Sequence, residues 1–434
     1  MTARPPVRAL ACAALAASFV LSSAAPAAAA GNVLIVDPAG VAGTYLGVNQ
    51  AIAAASDGDT LLIRGGSYPS ITLNGRSLTL LADGAAFGVG LLDIRNTTPS
   101  QRVVVRGAQV SGGFFSFQFP VVIGNCKGPV VLEDCLIAPF VGNPDLTDHA
   151  VAIGDSSRVT LVRCQIEAVA GTSGSNGLYG SQGGAGVYCE GSTVGIYDCE
   201  VKGGDGGNAW VQFFSTLTST FGGPGLWVRD GHVLASGSTF VAGQGGDGSE
   251  TGVGLCDLPG SDGGDGITLF PSGQVTLLDC QTVAGAAGSE AGGCPAGGVP
   301  GVAIDTSPNG VVNVVNEPAR SLEVTSPARE GQTATLTLGG APNETTFLLY
   351  SANLHGALEP GLAGFLLPGP PLGVFGVTPL SGGGFLQSTL SVPTGFFPPG
   401  IDAADVMLQV AVPGAAGTGV LGSGSVVTLL RSGF

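Results

Sequence analysis

The chain has 434 residues, with 31 acidic against 15 basic side chains for a formal charge of −16, and 75 of its residues are glycine. Such a chain repels nucleic acid and anionic membrane surfaces, and a polyanion such as pectate would approach it only with calcium as a bridge. It has 3 histidines and no Cys-x-x-Cys pair, so it offers no zinc pattern.

Residues 1–30 have the form of a secretory signal peptide. Arg4 and Arg8 precede an apolar run from Ala9 to Leu21, and Ala28-Ala29-Ala30 forms a small-residue cleavage site before Gly31. No later segment is long and apolar enough to span a bilayer. The mature chain is therefore expected to be secreted or at the cell surface, where disulfides are permitted. A short helix is expected next, capped by Thr44, with Tyr45, Val48, Ile52 and Ala55 on one face and Gly58 ending it.

From there one phrase recurs, Val-x-(Leu/Ile)-x-x-Cys-x-(Ile/Val). It reads Val130 to Ile137, Val159 to Ile166 and Val194 to Val201, with weaker copies at Val233 to Phe240 and Val275 to Val283. A strand-like phrase at this repeat length means stacked coils. The alternating aliphatics point inward, and the outward residues are expected to vary freely. Gly65, Gly107, Asp134, Arg163, Asp198, Gly237, Asp279 and Asn316 share the slot just after the strand. Gly, Asn and Asp tolerate a left-handed backbone, so the slot is expected to be a one-residue corner. Arg163 is the exception there, and an ion ladder Asp134–Arg163–Asp198 would explain it. The small residues that follow, including Cys135, Cys164, Cys199 and Cys280, read as reduced core thiols.

A strand, a tight corner, a second strand and a variable loop, repeated, describe a right-handed parallel β-helix. The stretch Asn49 to Tyr68, with Asp57-Gly58-Asp59-Thr60 and Gly65-Gly66-Ser67-Tyr68, resembles the opening of pectin-lyase-like proteins of the secreted bacterial type. The resemblance covers Asn32 to Glu317. It implies a capping helix over the first rung, and enzymatic relatives that cleave acidic polysaccharides.

The signatures of those enzymes are missing, since the chain has no Asp-Asp, Gly-His-Asp or Arg-x-Lys. The nearest approach to a lyase site is Asp145, Asp148 and His149 with Arg158 on the following strand. A solvated loop beside an outward strand explains those residues equally well. Glycine runs between Gly171 and Gly301 fall at a fixed phase of the repeat, so they read as loops inserted at one corner, gathered on one binding face. Within them, Asp262 and Asp265 nearly match a calcium-binding nonapeptide. That motif works by tandem stacking, which is not seen here, so flexible solvated loops are preferred to calcium. Cys256 and Cys294 leave successive rungs in such loops and are the disulfide candidate.

After residue 317 the phrase and the glycine runs stop. Alternating strands such as Thr333 to Leu338 and Thr346 to Tyr350, separated by Pro/Gly turns, suggest an Ig-like β-sandwich over 318–434. The whole is expected to be all-β, with the β-helix over 31–317. It reads as an exported, non-catalytic surface or matrix protein that binds polysaccharide or cell-surface components and needs no cofactor. The alternatives are a divergent polysaccharide lyase or glycoside hydrolase, and a purely structural adhesin or surface-layer element.

Overall fold

The computed structural model describes residues 19–20, 30–112, 119–138, 149–173, 181–212, 215–217, 219–251, 255–289, 297–306, 308–359, 361–377, 379–413 and 419–434. The chain is all-β, a parallel β-helix followed by a β-sandwich. Each coil carries three strands. A complete one runs Val121–Gly124, Val130–Glu133 and Leu136–Ile137, here called faces three, one and two. Face one climbs in parallel register, Val103 to Val130 to Val159 to Val194 to Val233 to Val275 to Val312. Face three climbs from Ile71–Asn74 to Ile304–Thr306. The inward aliphatics of the three faces form one continuous core.

The helix at the start spans Val48–Ala54 and buries Val48, Ala51 and Ile52 over the first coil. Its N-cap is Gly47, without a side-chain cap, because the Thr44 hydroxyl donates to the Val41 carbonyl instead.

The corner column between faces one and two is left-handed at Gly107 (φ 75°), Asp134 (54°), Arg163 (50°), Asp198 (52°), Gly237 (61°) and Asp279 (50°). Two expected members depart. Gly65 lies inside the unbroken strand Thr60–Tyr68, where a bulge shifts the register between Arg64 and Gly66. Asn316 ends the last rung, where the chain leaves for the sandwich, and is not left-handed. A second corner column, unforeseen from the sequence, joins faces three and one at Gly75, Asn96, Asn125, Asp155, Gly191 and Asp230. Its amides form a ladder: Asn125 donates to Asn96 (2.9 Å), and Asn96 to Asn74 (2.8 Å).

At both corners, the N–H just after the bend points along the stack and meets a small side chain on the next coil. Cys164 N–H is 3.3 Å from Cys199 Sγ and Cys199 N–H is 3.1 Å from Ser238 Oγ. Cys126 N–H meets Ser156 Oγ (3.0 Å), and Ser156 N–H meets Ser192 Oγ (2.9 Å). A small thiol or hydroxyl thus serves a donor that would otherwise be buried unpaired. Cys126, Cys135, Cys164, Cys189, Cys199 and Cys280 are free thiols.

The glycine segments expected as flexible loops are instead two ordered layers. Arms leaving face two (around 203–209, 242–248 and 284–289) interleave with arms returning to face three (around 181–186, 219–225, 259–266 and 297–302). Hydrogen bonds zigzag between the layers from Gly184 N–H to Val169 O, then Gly204 to Gly184, Gly223 to Gly204, Gly243 to Gly223, Gly264 to Gly243, Gly285 to Gly264 and Gly301 to Gly285, each 2.8–3.0 Å. The pattern has period three, the repeat of an extended polyproline-II-type chain. In Gly203-Gly204-Asp205-Gly206-Gly207-Asn208, the first N–H of each triplet goes to the next coil (Gly203 to Val241 O, 2.8 Å; Gly206 to Gln244 O, 2.7 Å). The second goes to the opposite layer. At the third position the side chain is the acceptor: Asp205 takes Gln244 N–H and Asn208 takes Asp247 N–H, both at 2.8 Å. Glycine is required for space, because a Cβ at Gly204 would lie 1.8 Å from Val169 O, and at Gly223 2.0 Å from Gly184 O.

The sandwich lies on face one. Its outer sheet contains Ser321–Val324, Thr333–Gly339 and Phe385–Ser391, and its inner sheet is built on Ala403–Pro413 and Gly419–Leu430. The outward residues of face one do not vary freely. Val104, Val131, Val162, Tyr197 and Leu234 are buried under Phe365, Leu367, Met407 and Val426. This explains runs such as Val103-Val104-Val105, continuous rather than alternating, as in strands covered on both sides.

A cluster of charges, Arg106, Glu133, Asp134 and Arg163, sits in this seam. Glu133, 0% exposed, faces Arg106 (3.2 Å) and Arg163, and accepts from Val426 N–H (2.9 Å) and the Ser425 hydroxyl. Asp134 pairs with Arg106 (2.8 Å) and Arg163 (2.7 Å). Arg163 also donates to Leu322 O (2.6 Å). The ion ladder is therefore corrected: both partners of Arg163 come from the coil below, and its third contact is the sandwich. Burial acts to lower the Arg163 pKa, but Glu133 and Asp134 outweigh it and hold the guanidinium charged. Asp198 has a buried, unpaired Oδ2, and burial pushes its pKa up to about 6 despite Ser423 and Arg163.

Two stability outcomes follow. Glu133→Ala leaves Asp134 alone to balance two guanidinium groups in the seam and should cost about 3–5 kcal/mol, read by denaturant unfolding. Gly204→Ala should lower stability by about 1–3 kcal/mol or more through overpacking, while Gln244→Ala at an outward third position should leave it within about 0.5 kcal/mol.

Candidate functional site

The outward side of face three is open, and its side chains stand in columns set by the strand register. Ala152, Tyr188, Trp227, Thr268 and Asp305 follow one another up the stack, at a spacing of about 4.8 Å per coil. Beside them an unbroken run of rings extends through Phe119, His149, Tyr188, Trp227 and Phe270. The first three stack at 5.3 and 4.8 Å between centroids, Tyr188 meets Trp227 edge-on at 5.5 Å, and Trp227 stacks on Phe270 at 5.1 Å. Tyr188, Trp227 and Phe270 are each half-buried, leaving part of the rings accessible. Among the described residues, the buried indole N–H of Trp227 has no hydrogen-bond partner.

The returning glycine layer rises beside this face and makes a wall. Its third positions, Phe221, Pro224, Asp262, Asp265, Val299 and Val302, point away from the opposite layer and toward the ring column. Floor and wall together enclose a groove of about 440 Å³, with Trp227, Thr268, Phe270 and Asp305 on the floor. The triplet chemistry differs between the two layers. Third positions of the outgoing arms include the polar Asp205, Asn208, Gln244, Asp247 and Ser289. Those of the returning arms include Phe221, Pro224, Val299 and Val302. That contrast was available in the sequence, once the period of three is recognised.

Asp262 and Asp265, the calcium candidates, line this groove and already have main-chain partners. Asp262 Oδ1 accepts Val299 N–H (2.7 Å), Asp265 Oδ1 accepts Val302 N–H (2.9 Å), and Asp265 Oδ2 accepts the Thr268 hydroxyl (3.2 Å). They tie successive returning arms together, as Asp205 and Asn208 do in the other layer. Among the described residues, no group of three or more His, Cys, Asp or Glu is gathered to hold a metal ion.

Of the four candidates for lyase chemistry, only His149 and Arg158 are among the described residues, and they are not brought together. Asp145 and Asp148 lie outside the described residues. His149 and Arg158 flank opposite ends of the face-three strand Val151–Gly154. Arg158 lies at the start of the next face-one strand, its Cβ close to where Gly356 of the sandwich approaches. His149 is part of the ring column, and its Nδ1 accepts Ala185 N–H (3.0 Å), so its remaining proton sits on Nε2. Enclosure by the rings lowers its pKa to about 4, which keeps it neutral. The disulfide candidate Cys256–Cys294 cannot be placed: the Cys256 side chain and all of Cys294 lie outside the described residues.

No protein-family model matches the chain, and no curated protein matches it.

The His149 environment predicts a pH effect with a definite sign. The imidazole protonates near 6.5 when unfolded and near 4 when folded. Between those values the unfolded chain binds more protons, so stability falls as pH falls through the window. Asp198 acts oppositely, because its raised pKa makes the folded state gain stability as pH falls from about 6 to 3.8. In an Asp198→Asn background, His149→Gln should remove an acid-side loss of up to about 3 kcal/mol. Unfolding free energies measured at several pH values between 6.5 and 4 check this.

Proposed function

We propose that the protein is an exported, non-catalytic polysaccharide-binding protein of surface or matrix type, and that the groove on face three holds the glycan. The observation that carries this reading is the ring column with its partly exposed Trp227 and Phe270 beside a long, rigid wall. Sugar rings present apolar C–H faces that stack on aromatic faces, and their hydroxyls need flanking polar groups, a combination typical of ligand clefts. Thr268, Asp262, Asp265 and Asp305 supply those groups. Column spacing along the stack suits a linear polymer lying parallel to the coil axis. The secretory form of residues 1–30 and the pectin-lyase-like opening phrase support an extracellular setting and a polysaccharide partner.

Binding rather than cleavage is favoured by the inventory at the groove. Uronate lyase chemistry needs a cation at the carboxylate and a base for the α-proton, whereas the groove lining carries three carboxylates and, among the described residues, no Lys or Arg. His149 has its Nδ1 committed to the main chain.

The test uses the 2 tryptophans of the chain, Trp210 and Trp227. In a Trp210→Phe background, titration with soluble polysaccharides should shift the fluorescence of Trp227 alone. In the native chain, Trp227→Ala should weaken binding about 3- to 10-fold, in line with the loss of one ring contact. Release of unsaturated sugars from pectate or alginate, with or without calcium, would replace this reading with the lyase alternative.

A further inference from the structure

The groove is charged in one sense only. Asp262, Asp265 and Asp305 line it, while among the described residues no lysine or arginine does. The nearest arginine on face three, Arg229, follows Trp227 by two residues on the same strand and is engaged by Glu190 (3.7 Å) and Asp230 (3.9 Å). His149, in the ring column, is neutral at ordinary pH. The wall acids keep part of their charge for a ligand. Each gives one oxygen to a backbone N–H of the next coil, a neutral donor that cancels no charge. Asp305 stands exposed on the floor, in register with Thr268 and two coils along from Trp227. A half-buried indole and three carboxylates lining one groove favour a ligand that is cationic and also has an apolar face. The aromatic face and the carboxylates attract the same sign of charge.

Resting on the glycan reading above, we propose that the groove selects amine-bearing polysaccharide, a polymer of amino sugars with free ammonium groups, over neutral or uronate-bearing chains. The sugar ring stacks on Trp227 and Phe270 while ammonium groups on neighbouring units meet Asp305 and Asp262. Uronates are rejected by like charge, and neutral sugars retain only the stacking contact. The net charge of −16 adds a long-range attraction for such a polycation but cannot by itself place it in the groove.

Calorimetric titration of the full chain with a glucosamine hexamer and with its N-acetylated counterpart, at about pH 6, where an amine is protonated, separates the possibilities. The amine hexamer should bind about tenfold more tightly, and its affinity should fall as salt is raised. Asp305→Asn should remove most of that preference, weakening the amine hexamer far more than the N-acetylated one. Trp227→Ala should weaken both. Equal affinities for the two hexamers would overturn the charge selection and leave the glycan reading standing. Absence of binding by both hexamers would overturn the amine proposal, while the polysaccharide titration of Trp227 fluorescence decides the glycan reading separately. An amine preference that survives Asp305→Asn and Trp227→Ala would place the ligand on the general acidic surface and overturn the assignment to this groove.

Discussion

Every coil of this molecule must find partners on the next coil for its backbone N–H groups, and most of the sequence is a set of local answers to that demand. Along the three faces the answer is ordinary parallel pairing. At the corners, the bend turns an N–H away from the ladder, and a thiol or hydroxyl one coil on receives it. In the glycine arms, where no strand forms, each triplet disposes of its N–H groups in three directions: the next coil, the opposite layer, and a carboxylate or amide side chain. A buried donor left over would cost about 1–3 kcal/mol, so an error repeated on each coil would exceed the 5–15 kcal/mol that typically separates folded from unfolded.

That demand explains what could be read in the residues beforehand and what could not. The Val-x-Leu phrase and its left-handed slot were legible, because inward packing and a positive φ each restrict the residue types at one position. The second corner was harder: its Asn, Asp and Gly residues are not followed by an even strand phrase. Arg163 was legible as an anomaly, but its cause was not, since one of its contacts is the Leu322 carbonyl, far away in sequence. The cover on face one was signalled by uninterrupted runs such as Leu61-Leu62-Ile63. That signal is easily absorbed into a general expectation of hydrophobic strands. The glycine segments were misjudged because glycine usually means freedom, and here it means that a neighbouring backbone occupies the place of a side chain.

The groove was the least legible part. Tyr188, Trp227, Thr268 and Asp305 are separated by whole coils in the sequence and become neighbours only through register. The wall depends on a distinction between outgoing and returning arms that no single motif contains. His149 was noticed for possible proton chemistry, and its geometry instead makes it a flat neutral plate between Phe119 and Tyr188. Asp262 and Asp265 were noticed for calcium, and each instead begins as a link between coils, with charge left to present to the groove.

The triplet order of the arms carries a consequence for how this chain can change over generations. A residue gained or lost inside an arm rotates everything beyond it by one third of a turn. A third-position Phe, Asp or Pro then enters a place where the opposing backbone lies about 2 Å from any Cβ. A gain or loss of three residues only lengthens or shortens the arm and restores every partner. The connections at the far ends of the arms are free of that rule. Length variation among descendants of this chain should therefore come in steps of three within the arms and in any number at their tips, a reading frame imposed by packing rather than by translation.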